Sequence, residues 1–236
     1  MPTHEELFQA KLQRIKDSHR AEVGRTALLV IDMQHGFLDK GASLALPGAT
    51  SIIPGIQRLI ATARARGIPV IFTEYVYATN VPCLRGDPFG PEHLAAPPGE
   101  LTGFGYPSNN CLIGLGAVEG PESPATIETL APEPGELVIQ GHTYDKFYGT
   151  PLDLALRSQN IDRLIFTGIT TDVCVNSTLM TAANRNYRAI AVGECMAAIH
   201  DHIHDACLKI WQNKFARLAT TAEIIAELAS SDRKSV

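Results

Sequence analysis

No stretch of the sequence approaches the ~18–20 consecutive apolar residues that cross a bilayer, and none of its 5 cysteines is spaced Cys-x-x-Cys. The first absence argues against a membrane span. The second, with an odd number of cysteines at irregular positions (83, 111, 174, 195 and 207), argues against a disulfide framework or a zinc ribbon. No G-x-G-x-x-G turn follows the first apolar run, and no phosphate loop ends in Lys-Ser/Thr, so no cofactor is expected. Basic residues are in the minority: 20 Lys and Arg face 25 Asp and Glu, a net charge of −5. That is the wrong sign for a surface that neutralises phosphates, so no nucleic-acid partner is expected. The first 24 residues are charged and lack the apolar core of a secretory signal. These absences together predict a cytoplasmic protein without membrane partners.

What is present is an ordinary globular balance, 45% hydrophobic and 19% charged, in a 236-residue chain long enough to bury a core without covalent staples. Short apolar runs at 27–31, 69–73, 136–140, 163–167 and 188–192, with a weaker one at 215–219, alternate with helical patterns. That alternation predicts a parallel sheet with crossover helices. None of the runs alternates cleanly in polarity, as expected where helices cover both faces of the sheet. The intervening segments 50–67, 149–160, 204–214 and 221–230 read as helices. The first shows Ile56, Leu59, Ile60 and Ala63 on one face, the second Leu152, Leu154, Ala155 and Leu156. Leu7, Phe8, Leu12 and Ile15 mark an amphipathic arm within residues 1–24, ahead of a single domain over 25–236. Residues 78–135 are rich in Gly and Pro and weakly periodic, as befits a lid, a binding loop or an oligomer contact.

Two residues stand where chemistry is done in such folds. Asp32 follows the first run, at the carboxyl end of a strand, where ligands of open α/β sheets bind. It is either an active-site carboxylate or a turn aspartate. Cys174 lies in "FTGITTDVCVNST" (166–178), after a strand ending in glycine and among the helix-capping types Thr170, Thr171 and Asp172. In the first turn of a helix, unpaired N–H groups and the positive dipole end favour a thiolate. The same groups could hold an oxyanion. An inert buried thiol is the alternative. His200, His202 and His204, with Asp201 and Asp205, suggest metal ligands, but the general-base glutamate of a zinc helix is missing and a solvated helix start explains them as well. No metal site is expected.

The segments "ALLVIDMQHGFLDKGA" and "FYGTPLDLALRSQNIDRLIFTGITTDVCVNSTLMTAANRNYRAIAV", with their D-x-Q-x-x-F and G-x-x-T-x-x-C-V elements, resemble the isochorismatase-like cysteine hydrolases. The likeness runs from residue 25 to about 220 and is weakest through 78–130. It implies a Rossmann-like three-layer α/β sandwich with a mostly parallel, roughly six-stranded sheet, commonly in a homo-oligomer (dimer or tetramer). It implies Cys174 as nucleophile, Asp32 as general base, and an oxyanion hole from the backbone N–H groups of Thr170 and Cys174 beside a cis Ile169–Thr170 bond. "GITTDVCV" is most similar to the ureido and carbamoyl amidohydrolases, such as biuret hydrolase and ureidoacrylate amidase. The implied reaction is cleavage of the C–N bond of a small amide, ureido or carbamoyl substrate through an acyl-enzyme. Phe37, Tyr75 and Tyr77 are candidates for the substrate-pocket wall, and for plain packing.

The family's catalytic lysine lies about six residues before the phenylalanine of F-x-x-T-x-L. Counting back from Phe147 reaches Gly141, so no lysine is present there, and Lys146 and His142 are the nearby substitutes. Two anions side by side without that cation would raise one pKa and weaken the nucleophile. A non-catalytic or altered ligand-binding member is therefore one alternative. A vinyl-ether hydrolase is another, although that reaction does without the cysteine.

Overall fold

The computed structural model describes residues 1–78, 91–114 and 116–231. Cys83 falls outside them. Each apolar run forms a strand: β1 (Thr26–Ile31), β2 (Val70–Tyr75), β3 (Leu137–Gly141), β4 (Arg163–Ile169), β5 (Arg188–Ala197) and β6 (Ala216–Leu218). All pair in parallel, in the order β3-β2-β1-β4-β5-β6. Successive side chains of a strand point to opposite faces, so Leu28 and Val30 enter one core while Ala27, Leu29 and Ile31 enter the other.

Helices α3 (Ile53–Ala65) and α7 (Thr221–Ser230) close the first core with Ile56, Leu59, Ile60, Ile224 and Leu228. On the opposite face lie α4 (Leu152–Ser158), α5 (Asn176–Asn184) and α6 (Asp201–Lys214), contributing Leu152, Leu156, Leu179 and Trp211. This is the three-layer sandwich the sequence predicts. β1, β2 and β4 are buried along their whole length. The edge strand β3 departs from that expectation: Ile139 is buried, but Val138 and Gln140 are exposed. Leu154 is a second correction. It stands 72% exposed, because residues two apart on a helix cannot share a face with Leu152 and Leu156.

Helix α1 (His4–Ser18) buries none of its residues. It rests on the β6 side through Lys16, 2.8 Å from Glu223, and Lys11, whose ammonium donates to the Asn213 carbonyl. Helix α2 (His35–Leu38) is a single turn just after β1. No helix among the described residues is long and apolar enough to cross a membrane.

The chain winds outward from β1 through β2 to β3 and then returns to place β4 against the other side of β1. Strand order reverses there, and the carboxyl ends of β1 and β4 flank the crevice. Their approach depends on Gly168, paired with Ile31 and held at φ +108. A Cβ on Gly168 would stand 2.1 Å from the Ile31 carbonyl oxygen, a contact no side chain tolerates.

Candidate active site

Asp32 leaves the end of β1 at φ 52, the left-handed region that aspartate adopts more readily than most residues. Its side chain is 1% exposed. The backbone N–H donates to the Thr73 carbonyl at 3.0 Å, and Thr73 Oγ1 donates to Asp32 Oδ1 at 2.7 Å. β2 thus holds one oxygen of the carboxylate. Gln34, two residues on, fastens the same strand ends, accepting from Tyr75 N and donating to Tyr75 O, each at 2.8 Å. The D-x-Q spacing therefore has a structural meaning: one side chain stays in the crevice and the next continues the ladder.

The other carboxylate oxygen meets a cation. Lys146 Nζ lies 2.8 Å from Asp32 Oδ2, and both side chains are withdrawn from solvent. Asp32 Oδ2 makes no hydrogen bond of good angle, so the contact is chiefly Coulombic, and in this dry setting that attraction is strong. The loop bearing Lys146 is tied to α5. Lys146 N donates to Thr178 Oγ1 at 3.1 Å, and Thr178 Oγ1 donates to the Cys174 carbonyl at 2.7 Å. Thr181 Oγ1 donates to Asp145 Oδ2 at 2.8 Å. The count that ends at Gly141 thus misses the cation, which reaches Asp32 from five residues further along the loop. His142 makes no such contact, and its Nδ1 is buried without a hydrogen-bond partner.

Cys174 sits in a π-helical turn, Thr171–Val175, that leads into α5, a wide-turn geometry common at functional sites. The Ile169–Thr170 peptide bond before it is cis. The Thr170 N–H faces the Cys174 sulfur, and the Asp32 carboxylate lies within hydrogen-bonding reach of the thiol. Burial and then the charge of Asp32 push the thiol well above its ordinary pKa, against the smaller lowering effects of Lys146 and the Thr170 N–H. Burial and the neighbouring carboxylate thus act against the thiolate that a helix start would favour.

Above the sulfur opens a cavity of about 230 Å³. Phe37 and Tyr75 line it, together with Tyr144, His93, Phe104 and Leu44, which the sequence did not single out. The rings of Tyr75 and His93 lie 4.6 Å apart and those of Tyr75 and Tyr144 5.7 Å. Lys146 Nζ stands 5.2 Å from the Tyr75 ring centre. Tyr77 is not part of the lining. It is buried, donates its hydroxyl to the Ser108 carbonyl, and packs beside His93. The position of Tyr75 at the end of β2 was the available signal. His93, Phe104 and Tyr144 come from loops whose path no periodicity reveals.

The histidines after β5 have other engagements. His204 Nδ1 is 2.9 Å from Thr171 Oγ1, and His200 stacks on His202 with ring centres 5.5 Å apart. Among the described residues no group of three or more metal-ligating side chains converges.

The sheet order, with a thiol, a carboxylate and an ammonium at its switch point, places the molecule among the isochorismatase-like α/β proteins. A family model for the isochorismatase domain matches residues 26–223, and the chain belongs to that family. Among curated relatives, a ureidoacrylate amidohydrolase RutB of Methylorubrum extorquens is 32% identical over 223 residues, covering 89% of this chain and 86% of its own. Its counterpart in Yersinia enterocolitica is 36% identical over 167 residues, 65% of this chain and 67% of the relative. Among solved structures, a cysteine hydrolase from Pseudomonas syringae pv. phaseolicola aligns with a TM-score of 0.73 at 24% identity, over 89% of this chain and 95% of that one. N-carbamoylsarcosine amidase from Thermoplasma acidophilum aligns at 0.60 and 26% identity, over 84% and 96%.

Proposed function

We propose that this chain, an amidohydrolase of the isochorismatase family, cleaves the C–N bond of a small amide, ureido or carbamoyl compound through a covalent intermediate on Cys174. The observation that carries the mechanism is the buried contact of Asp32 with Lys146 at 2.8 Å, beside a thiol whose proton the same carboxylate can accept. Because the thiol rests protonated, attack and proton transfer are coupled. Asp32 takes the Cys174 proton as sulfur bonds to the carbonyl carbon. The oxyanion that forms is met by the backbone N–H groups of Thr170 and Cys174. Asp32 then returns the proton to the nitrogen, the C–N bond breaks, and ammonia or an amine leaves behind a thioester. Water attacks the thioester carbonyl, giving a proton to Asp32 that returns to sulfur as the acid departs. Lys146 sets a positive charge against Asp32 and offsets the second negative charge as it develops. A non-catalytic binder was suggested by the glycine at 141, and the ammonium from Lys146 removes the ground for it.

The test is an ammonia-release screen over small amides, ureas and carbamoyl compounds. With a substrate in hand, Cys174→Ala should lower kcat by at least ~10³-fold. Undiminished turnover in that variant would falsify the covalent scheme. We infer in addition that the chain assembles as a homo-oligomer. Large apolar side chains left in solvent support this: Val138 on β3, Tyr148 after it, and Leu154 on α4. Light scattering in solution reads the assembly, and a monomeric mass removes it.

A further inference from the structure

Lys146 is rooted in the loop between β3 and α4, and a loop by itself places a side chain less exactly than a helix or strand does. The loop is braced internally by Asp145. Its Oδ1 accepts from the Phe147 N–H at 2.9 Å, and its carbonyl accepts from Thr143 Oγ1 at 2.9 Å. Two polar ties then fasten it to α5. Thr178 and Thr181, three apart, share one face of that helix. Thr178 Oγ1, fully buried, accepts the Lys146 N–H at 3.1 Å and stands 3.3 Å from the Tyr144 carbonyl. Thr181 Oγ1 donates to Asp145 Oδ2 at 2.8 Å. A threonine that bonds the carbonyl four residues back, as Thr178 does to Cys174 at 2.7 Å, is ordinary in a helix. Helix geometry does not account for the same oxygen also receiving a main-chain N–H from a separate loop. The carbonyl it bonds belongs to the nucleophile, and the N–H it receives belongs to the residue that supplies the cation.

We propose that Thr178 and Thr181 are positioning residues for the reaction, fixing the Lys146 ammonium beside Asp32 from the same helix whose opening turn carries Cys174. Nucleophile and cation are then located by one element, although the cation's own residue stands in a loop. This rests on the reading of Cys174 as nucleophile and deepens it. Neither threonine lines the cavity, so their effect on the reaction passes through Lys146 and Cys174. The ammonium sits 2.8 Å from Asp32 Oδ2 and 3.3 Å from the Thr143 carbonyl. Moving it away weakens a charge–charge attraction that falls with distance, in a site where small displacements are costly.

The test needs no substrate. Iodoacetamide, a small primary amide, alkylates a reactive thiol, and peptide mass spectrometry reads the rate at Cys174 as a function of pH. Thr178→Val keeps the shape of the side chain and deletes its hydroxyl. It should slow labelling near neutrality by at least ~fivefold and move the profile to higher pH. Thr178→Ser keeps the hydroxyl and should stay within about twofold of the wild-type rate. Thr181→Val should move the profile the same way by less, and it carries the test alone should Thr178→Val fold poorly. Cys207, half-buried on α6, is the internal control, and its rate should not follow the variants. A wild-type profile in every valine variant that folds overturns the proposal. Slowing in the serine variant equal to that in valine, or Cys207 changing in step with Cys174, does the same. A wild-type Cys174 inert to iodoacetamide at every pH would remove the nucleophile reading and this inference with it, whereas a reactive Cys174 indifferent to the valine variants removes this inference alone.

Discussion

Lys146 is the residue on which the site's electrostatics turn. Removing it as Lys146→Met leaves a buried carboxylate without a counter-charge, a change that costs ~3–5 kcal/mol where neither partner reaches solvent. Without that charge beside it the carboxylate should serve poorly as a base, lowering kcat by at least ~10²-fold. A rescue separates charge from fold. Gly141 pairs with Tyr75 in the β2–β3 register, and paired residues of neighbouring strands point to the same face. The Tyr75 ring is the one beside Lys146 Nζ. A Cβ at Gly141 would meet only Thr150 Cγ2, at 3.4 Å. The double variant Gly141→Lys/Lys146→Met should therefore regain activity over Lys146→Met, measured as kcat against pH. Activity equal to wild type in Lys146→Met alone would refute the role. Asp32 and Cys174 were legible in the sequence because a strand end and a helix start each fix one position. Lys146 was legible only as one of two substitutes, beside His142, since a count along the chain assumes that the ammonium is rooted at the strand end. Thr73 and Thr178, which hold Asp32 and the Lys146 loop, are legible only once the elements are packed.

At the scale of elements, the crevice depends on how closely β1 and β4 approach. Gly168→Ala sets a Cβ 2.1 Å from the Ile31 carbonyl oxygen at a φ of +108. Overpacking alone typically costs ~1–3 kcal/mol, and the backbone conformation adds ~1–3 kcal/mol. Urea unfolding should show a loss of at least ~2 kcal/mol, with activity falling further because the strands carrying Asp32 and Cys174 are pushed apart. An unchanged unfolding midpoint would contradict this geometry. All six strands were readable from their apolar runs, and β1, β2 and β4 most plainly, since strands covered on both faces must be apolar nearly throughout. Their ends were less so. β5 runs on to Ala197, past a register shift opposite Phe166–Gly168, and an irregular ladder leaves no periodic trace. The exposed side of β3 and the outward Leu154 escaped for another reason: apolar residues at an edge or on a surface resemble core residues in composition.

At the scale of the whole molecule, the four thiols among the described residues share one bias. Burial pushes Cys111, Cys174, Cys195 and Cys207 above the ordinary thiol range, and Cys111 and Cys174 furthest. Tyr187 is likewise pushed up to about 12, by burial and by its hydrogen bond to Asp153. An unfolded chain ionises its thiols near pH ~8.5, whereas the folded chain keeps them protonated beyond that. The folded state therefore binds more protons above that pH, and the slope of stability with pH is negative there. This contribution is fully present below pH ~8.5 and is lost as the pH climbs past it. Urea midpoints should be level from neutrality to that point and lower in stronger alkali, with Cys111→Ala showing a shallower decline. A midpoint that rises into alkali would contradict the buried thiols.

The glycine at the end of β3 and the lysine five residues later together detach a charge's address in the chain from its address in space. A motif column drawn at position 141 records this protein as lacking a catalytic cation, although an ammonium stands 2.8 Å from Asp32. A search for chains built this way must therefore ask which side chain touches the aspartate, not which residue stands in one column.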